Sequence, residues 1–382
     1  MKIVVAIDSF KGSLASLEAG GAVAQGVLRA APNAEVVVRP LADGGEGTVQ
    51  ALVSGMHGTL QQVTVTGPVG TPVEGTYGIL PDGRTAVLEM AEAAGITLVK
   101  PEDRDPLRAT TYGVGEMIRD AIGKGCRRFL VGIGGSATND GGVGMLQALG
   151  YGFLDVSGRS IAPGAVGLAD LAVITTHKVM PELAQCEFKI ACDVTNPLCG
   201  PQGCSAIYGP QKGAAPHTIA QMDGWLARYA LLAAQLFPEK ADAERPGTGA
   251  AGGMGFAFLG FTRAELAAGI DLVLAETGLE GYLRDADLVI TGEGRLDGQT
   301  AMGKAPVGVA RLAKQHGKTV IAFAGSVTPD AGACNRAGID AFFPILRGIC
   351  TLEDAMRPEN ARRNLADAAE QAFRLWMAAG KP

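Results

Sequence analysis

Short apolar runs alternate with amphipathic, helix-length segments in the first part of the chain. Their spacing predicts, in order, a strand over 2–8, a helix to about 30, a strand over 35–39 and a helix to about 53. Ser13 or Ser16 can cap the first helix, and Pro32 with Asn33 ends it. The N-terminal region is therefore predicted to fold as β-α-β-α.

The C-terminal part repeats this alternation. Strands are predicted over 287–291, 318–324 and 341–346, and helices over 306–316 and 358–378. The last helix places these apolar side chains on one stripe: Ala361, Leu365, Ala368, Ala372 and Leu375. Alternating elements at both ends predict one doubly wound parallel sheet that is built from both termini.

The middle of the chain carries shorter strands separated by glycine and proline turns. Strands are predicted over 63–66, 76–80, 85–90, 129–133 and 188–192, and helices over 110–122, 139–149, 218–236 and 263–276. We expect an α/β domain over residues 61–284, inserted into a first domain of residues 1–60 and 285–382. The ligand is then expected in the cleft between the two domains, beyond the carboxyl ends of the strands.

The composition is that of a globular chain, and its length favours two domains. The 382 residues are 47% hydrophobic and 19% charged, with a formal net charge of −6 and no block of like charges. This balance argues against a nucleic acid or an anionic membrane as the partner. No uninterrupted apolar stretch approaches the ~18 residues of a spanning helix.

The seven cysteines do not form a disulfide pattern. Their odd number and irregular spacing fit a reducing cytosol, so we expect a cytoplasmic protein. Cys199 and Cys204 lack the second pair and the nearby histidine that a metal site would need. The apolar run before Asp8 is too short for the hydrophobic region of a signal peptide.

Glycine is about twice as frequent as the ~7% average, and it clusters in loops that also carry acids. Five polar segments that are glycine-rich or carry acids each follow a predicted strand: D-S-F-K-G-S (8–13), D-G-G-E-G-T (43–48), G-G-S-A-T-N-D-G-G (134–142), D-V-T-N-P (193–197) and G-E-G-R-L-D (292–297). One such loop is ordinary turn chemistry, because a sharp β-α turn favours glycine with aspartate, asparagine or serine. Five such loops at strand ends, all of which carry acids, instead predict that the strand ends form a functional site.

The segment 134–142 has the composition of an anion-binding loop. Its small residues let backbone N–H groups approach an anion, and it opens a predicted helix whose N-terminus adds positive potential. Thr138 or Asn139 can also serve only as the N-cap of that helix. We assign nucleotide phosphate binding to Gly134, Gly135, Ser136, Thr138, Asn139, Asp140 and Gly141.

Two other glycine-rich segments are weaker candidates for anion binding. G-T-G-A-A-G-G-M-G-F (247–256) suits tight helix packing equally well. G-Q-T-A-M-G-K-A (298–305) resembles a P-loop, but Ala305 stands where serine or threonine should bind magnesium, so a P-loop fold is rejected. Lys304 is retained as a phosphate contact.

Acids dominate the predicted strand ends and would repel a phosphate unless a cation lies between them. The acids in these loops are Asp8, Asp43, Glu46, Asp140, Asp193, Glu293 and Asp297. Mg²⁺ bridges carboxylates and phosphates and removes the repulsion. Together with Lys11, Lys304 and Arg295, these acids predict a metal–nucleotide complex and phosphoryl transfer. None of the four histidines lies in these loops, so a histidine base is not expected.

Six motifs occur in register along the whole chain: D-S-F-K-G-S, L-A-D-G-G-E-G-T, G-G-S-A-T-N-D-G-G, C-D-V-T-N-P-L, G-A-A-G-G-M-G-F and G-E-G-R-L-D-G-Q-T. Together they resemble the type 1 glycerate kinase family. The resemblance implies an ATP- and Mg²⁺-dependent kinase that phosphorylates D-glycerate in the breakdown of glyoxylate, glucarate or galactarate. It also implies a flavodoxin-like domain with an inserted α/β domain. The similar bacterial members are usually glycerate 2-kinases, so 2-phosphoglycerate is the expected product.

Residue roles follow from placing these ligands among the loops. The predicted catalytic residues are Asp193, Lys11, Asp8 and Lys304; the predicted substrate contacts are Arg295, Ser9 and Asn196; the predicted Mg²⁺ ligands are Asp297, Glu293 and Asp43. Asp193 is our candidate for the base that takes the 2-hydroxyl proton, with Asp297 as second choice. Lys11 and Lys304 would stabilise charge on the transferred phosphoryl group. The planar guanidinium of Arg295 suits the glycerate carboxylate.

Other interpretations stay open at this point. A glycerate 3-kinase would share the fold and cofactor and differ only in which hydroxyl group attacks. A non-catalytic binding protein for a sugar acid or nucleotide would gain nothing from the many carboxylates. A dinucleotide oxidoreductase is disfavoured, because the first β-α turn has F-K-G-S where G-x-G-x-x-G is needed. The sequence is compatible with a homo-oligomer.

Overall fold

The computed structural model describes residues 1–380. The strands are β1 (Lys2–Ile7), β2 (Glu35–Pro40), β3 (Thr59–Thr66), β4 (Pro72–Ile79), β5 (Thr85–Glu89), β6 (Arg128–Gly132), β7 (Gly152–Leu154), β8 (Val173–Thr175), β9 (Glu187–Ala191), β10 (Ala264–Ala267), β11 (Leu288–Leu296), β12 (Val320–Val327) and β13 (Ala341–Pro344). The helices are α1 (Ser16–Ala30), α2 (Thr48–Met56), α3 (Ala91–Ala94), α4 (Tyr112–Gly123), α5 (Val143–Ala148), α6 (Cys204–Tyr208), α7 (Pro216–Leu236), α8 (Ala250–Phe261), α9 (Gly269–Glu276), α10 (Leu279–Leu283), α11 (Ala305–Gln315), α12 (Ala333–Arg336), α13 (Leu352–Met356) and α14 (Pro358–Ala378). Within the described range, none of these helices combines the length and apolar character that a membrane crossing requires.

The chain forms two compact units. The terminal unit comprises Met1–Asp43, Gln50–His57 and the described residues from Ile270 onward. The central unit comprises Gly44–Val49 and Gly58–Gly269. Each unit has its own sheet and its own apolar core.

A five-stranded parallel sheet forms the terminal unit, and its strands come from both ends of the chain. The strand order is β13-β12-β11-β1-β2, and every neighbouring pair is parallel. Counted within this unit alone, the order is 2-1-3-4-5, which is that of flavodoxin-like folds. The predicted doubly wound sheet built from both termini is therefore confirmed.

β1 is a central strand, which explains its unbroken apolar run. All five residues from Ile3 to Ile7 are fully buried, as expected for a parallel strand that is covered on both faces. Its neighbours β2 and β11 both pair with it along this run, for example Val4 with Val37 and with Val289. The apolar sequence of β1 therefore fits its place between two other strands of the sheet.

α1 and α14 pack against each other in the core of this unit. Gly26 of α1 permits a close approach, because a Cβ atom there would lie 2.1 Å from the carbonyl O of Ala366. The predicted bounds of α14 are confirmed, but its buried stripe differs from the prediction. Phe373 points inward and is 1% exposed, whereas Leu375 is 64% exposed.

The central unit is built on a mixed six-stranded sheet in the order β10-β9-β6-β5-β4-β3. β5, β6, β9 and β10 run parallel, and β3 and β4 form an antiparallel edge. The carboxyl ends of the parallel strands therefore lie at one edge of the sheet. Phe129 and Phe188 stack at 4.7 Å in the core below that edge.

Several local predictions are wrong because distant pairing partners decide the structure. The helix predicted over 263–276 is β10 followed by α9, since Ala264 pairs with Phe188 of β9. The predicted loop 292–297 is largely strand, because Glu293 of β11 pairs with Ala324 of β12. The N-cap of α1 is Ala15 rather than either predicted serine.

Replacing Gly26 by alanine should destabilise the terminal unit, whereas the same change at Gly21 should not. Both glycines lie in α1, but a Cβ atom at Gly21 meets nothing within 4 Å. We expect Gly26→Ala to cost about 2–3 kcal/mol or more through overpacking. Gly21→Ala should stabilise the helix by up to about 1 kcal/mol. Urea unfolding followed by circular dichroism measures both, and equal midpoints would contradict the packing described for α1 and α14.

Candidate functional site

A cavity of about 370 Å³ opens at the carboxyl ends of β1 and β11 in the terminal unit. In the 2-1-3-4-5 order these neighbouring strands mark the topological switch point, where ligands bind in open α/β sheets. Its polar lining consists of Asp8, Ser9, Lys11, Ser13, Asp43, Glu293, Arg295, Asp297, Lys304 and Ser326. Every predicted site residue of the terminal unit lies in this lining, so the structure brings them together. Their individual roles remain predictions.

Asp8 is a buried acid at the end of β1. Its amide N donates to the carbonyl O of Gly292 at 2.9 Å, and its Oδ1 accepts from the amide N of Ser9 at 2.7 Å. Burial, together with the nearby negative charge of Asp43, raises the pKa of Asp8 to about 7. The cavity therefore holds a carboxyl group that gains or loses its proton near neutral pH.

Glu293 and Asp297 are both held by one residue, Thr300. The Oγ1 of Thr300 donates to Glu293 Oε1 at 2.5 Å, and the amide N of Thr300 donates to Asp297 Oδ1 at 3.1 Å. Burial raises the pKa of Glu293, while the hydrogen bond from Thr300 acts in the opposite direction. Thr300 thus positions two predicted metal ligands, a function that the sequence pattern did not indicate.

Three cations line the same cavity. Lys11 follows β1, Arg295 projects from β11, and Lys304 is the N-cap residue of α11. The Nε of Arg295 lies 3.7 Å from Asp297 Oδ2, and the Arg295 side chain is 64% exposed. Cations and acids therefore meet at one place, as binding of a metal–phosphate complex would require.

The acids of the cavity do not form a compact metal cage. Among residues 1–380, no three carboxylate, imidazole or thiol groups are arranged closely enough to hold a metal ion. Mg²⁺ is usually bound by one or two carboxylates together with phosphate oxygens and water. Glu293, Asp297 and Asp43 fit that mode of binding, and their assignment to Mg²⁺ stays a prediction.

In the central unit, Glu89 anchors the D-G-G-E-G-T segment. This carboxylate ends β5 and accepts from the amide N atoms of Val49 at 2.8 Å and Gly47 at 3.3 Å, at the start of α2. Burial raises its pKa. Glu89 is not among the predicted site residues, although an acid at the end of a predicted strand is the signal that singled out the other loops.

Close backbone contacts hold the same segment over the strand ends of the central unit. A Cβ atom at Gly44 would lie 2.6 Å from the Cβ of Ala191, and one at Gly132 would lie 2.4 Å from the carbonyl O of Gly44. Gly44 also has a φ of +87°, a conformation that other residues rarely adopt. Glycine at position 44 is therefore required twice, for space and for backbone conformation.

The predicted phosphate loop is mostly occupied by internal hydrogen bonds. Asp140 is 1% exposed and accepts from the amide N and the Oγ1 of Thr111, both at 2.9 Å, and from the amide N of Gly142 at 3.1 Å. Asn139 Nδ2 donates to Ser205 Oγ at 2.8 Å. Gly134 and Gly135 are exposed at the strand end. The loop is thus anchored deep in the core and presents only its first residues outward.

Lys212 is a buried cation beneath this loop that the sequence pattern did not indicate. It is 2% exposed, and its Nζ donates to Ser136 Oγ at 2.8 Å and to the carbonyl O of Thr138 at 2.6 Å. Burial lowers its pKa to about 8. Lys212 therefore fixes the loop conformation from below.

Asp193 and Asn196 lie in the central unit and not in the cavity lining. Asp193 is exposed just beyond β9, and its Oδ1 accepts from the amide N of Gly269 at 3.1 Å. Asn196 donates to the carbonyl O of Gln202 and accepts from the hydroxyl group of Tyr208. The predicted roles of Asp193 as base and of Asn196 as a substrate contact remain predictions.

Comparisons with known proteins cover nearly the whole chain. The model of the glycerate kinase family matches residues 3–377. A protein of Haemophilus influenzae named glycerate kinase is 48% identical over 375 residues, which are 98% of each chain. A protein of Escherichia coli named glycerate 2-kinase is 46% identical over 372 residues, covering 96% of this chain and 97% of its own.

A solved structure has the same fold. The crystal structure of a candidate glycerate kinase 2 from Salmonella typhimurium LT2 matches with a TM-score of 0.93 at 47% identity, and the match covers 100% of both chains.

Replacing Asp8 by asparagine should remove a loss of stability that the wild type shows as pH rises. The folded-state pKa of about 7 lies above the ordinary value of 3.8, so the stability that neutral Asp8 contributes is present below pH 3.8 and is lost as pH rises through about 7. At pH 8 we expect Asp8→Asn to have a higher free energy of unfolding by about 2–4 kcal/mol. Asparagine can still accept from the Ser9 amide.

Urea unfolding in metal-free buffer at several pH values measures this difference. Asp170→Asn, at an exposed position, should keep the wild-type profile. Parallel profiles for wild type and Asp8→Asn would show that Asp8 is already charged in the folded state throughout.

Proposed function

Because this chain belongs to the glycerate kinase family, we propose that it transfers the γ-phosphoryl group of ATP to the 2-hydroxyl group of D-glycerate, with Mg²⁺ as the metal ion. The products would be 2-phospho-D-glycerate and ADP. The observation that carries this proposal is the cavity of the terminal unit, where Lys11, Arg295 and Lys304 share one lining with Asp8, Asp43, Glu293 and Asp297.

Both kinds of charge have a use in phosphoryl transfer. The transferred group passes through a transition state with negative charge on its outer oxygens, and fixed cations stabilise that charge. Lys11 and Lys304 take this role in the proposal. Asp8, which lies close enough to both Asp43 and Lys11 to feel their charges, would adjust its own charge to the ligands that are present.

Mg²⁺ would be held by oxygen ligands from the acids of the cavity and from the nucleotide. Glu293, Asp297 and Asp43 are hard carboxylate donors of the type this ion prefers. Thr300 fixes the orientation of the first two. When bound, Mg²⁺ would neutralise the β- and γ-phosphates, which otherwise face several carboxylates.

The small substrate would be held by its carboxylate. Arg295 is the proposed partner, because a guanidinium group can donate two parallel hydrogen bonds to a carboxylate. Ser9 also lines the cavity and is proposed as a second contact. Asp193 remains the proposed base, with Asp297 as the alternative inside the cavity lining.

Attack by the 2-hydroxyl group is supported by the name of the Escherichia coli relative. Transfer to the 3-hydroxyl group is the alternative, since it needs only a small shift of the substrate.

We place the enzyme in organic-acid or sugar-acid catabolism in the cytoplasm. The cytoplasmic location is supported by the seven cysteines, which are all free thiols, as in a reducing compartment.

Purified protein mixed with ATP, Mg²⁺ and D-glycerate should release ADP in proportion to the glycerate supplied. Coupled ADP detection measures turnover, and phosphorus NMR of the product identifies the hydroxyl group that was phosphorylated. A 3-phosphoglycerate signal would replace the 2-kinase proposal with the 3-kinase. Binding of both ligands without ADP release would favour a non-catalytic binding protein.

Asp193→Asn should lower kcat far more than it raises KM for D-glycerate. Loss of a general base removes about 10²-fold or more from the chemical step and leaves substrate contacts in place. Glu187→Gln is the matched control, because Glu187 is an exposed acid on the same strand, β9. Unchanged turnover in Asp193→Asn would exclude it as the base, and the same test would then be applied to Asp297→Asn.

A further inference from the structure

Besides its charged residues, the cavity of the terminal unit has an apolar wall. This wall consists of Phe10, Ile345, Leu346, Leu352, Ala355 and Met356. Most of it comes from the segment between β13 and α14, which contains the short helix α13. Neither D-glycerate nor a phosphate group has an apolar surface that could use such a wall.

The wall is partly open to solvent where it meets the cavity. Phe10 and Ile345 form a buried floor, at 4% and 2% exposure. Leu352 is 78% exposed, Leu346 40% and Met356 36%. Scattered apolar residues on a surface are ordinary, but several that line one cavity beside fixed cations form the kind of pocket that binds small molecules.

The wall lies directly beside the turn that carries Lys11. Gly12 has a φ of +76°, and a Cβ atom there would lie 3.0 Å from the Cε of Met356. The thioether end of Met356 is therefore next to the D-S-F-K-G-S turn. A ligand whose charged group reaches Lys11 would place its neighbouring part on Met356.

The segment that carries the wall is fixed at both ends of α13. Thr351 Oγ1 accepts from the amide N of Asp354 at 3.1 Å and caps the helix. Asn360 Nδ2 of α14 donates to the carbonyl O of Asp354 at 2.8 Å. The exposed apolar side chains are thus presented by a defined turn of backbone.

We propose that this wall, above all Leu352 and Met356, binds the nucleobase of the phosphoryl donor, a proposal that rests on the kinase function proposed above. The phosphates would extend toward Lys11 and Lys304, and the flat base would lie on the apolar side chains. Methionine adapts to irregular surfaces and makes favourable sulfur–aromatic contacts. The cavity of about 370 Å³ has the size of pockets that hold such ligands.

The test separates the base from the phosphates by comparing ADP with inorganic tripolyphosphate. Dissociation constants are measured by calorimetry with Mg²⁺ for the wild type, Leu352→Asn and Met356→Ala. We expect each variant to bind ADP about tenfold more weakly, because apolar contact area is lost, and to bind tripolyphosphate within about twofold of the wild type. Leu352 is mostly exposed, so its replacement does not disturb the core.

Ile349→Asn is the matched control, since Ile349 is a fully exposed apolar residue of the same segment outside the cavity lining. It should keep the wild-type affinity for both ligands. Unchanged ADP affinity in Leu352→Asn and Met356→Ala would overturn the proposal, as would an equal loss for ADP and tripolyphosphate. Dissociation of a wild-type dimer by Leu352→Asn, with ADP affinity unchanged, would show that a second copy covers the wall instead.

The outcome is independent of whether the proposed reaction is correct. If the wild type turns over ATP and D-glycerate while both variants keep full ADP affinity, the kinase function stands and the nucleobase site is wrong. If the variants lose ADP affinity selectively but no product forms, the nucleobase site stands and the proposed reaction is wrong.

Discussion

The parallel pairing of β1 with β11 is the constraint on which the rest of the candidate site depends. The two strands come from opposite ends of the chain, yet Ile3 pairs with Leu288 and Val5 with Ile290. Just beyond this ladder, the amide N of Asp8 donates to the carbonyl O of Gly292. That register sets where the turn after β1 stands relative to Glu293, and it places both at the switch point of the sheet.

Because this pairing brings several carboxylates into one cavity, they repel each other, and cations of the same cavity partly offset the repulsion. Burial and neighbouring carboxylates raise the pKa values of Asp8 and Glu293. The positive charge of Lys11 acts against this on Asp8, and that of Lys304 acts against it on Glu293. Each buried acid thus has a cation of its own in the cavity, and a bound metal ion would reduce the remaining repulsion.

The central unit uses acids at strand ends for a different purpose. Glu89 and Asp140 both turn their oxygens to backbone amides, and so they organise glycine-rich loops. The backbone of such a loop has many donors that need partners, and a buried carboxylate can satisfy several at once. These two acids thus serve the backbone of their loops, whereas the acids of the terminal unit line a cavity.

The sequence by itself determined the elements whose signal is local. The apolar run of β1, the bounds of α14 and the acids at strand ends follow from side-chain periodicity and turn chemistry. Motifs in order along the whole chain also indicated the family. Each strand, helix and motif among these signals is contained in a short stretch of residues, and the order of the motifs can be read without knowledge of the fold.

Only the tertiary structure decided the features that depend on distant partners. Residues 264–267 form a strand because β9 lies beside them, although their own composition suits a helix. Glu293 and Arg295 lie in a strand because β12 continues past them. Hydrogen-bond partners that lie far away in sequence or across a turn decide the roles of Glu89, Thr300 and Lys212. Local propensity amounts to tenths of a kcal/mol per residue, so a few sheet hydrogen bonds and buried contacts override it.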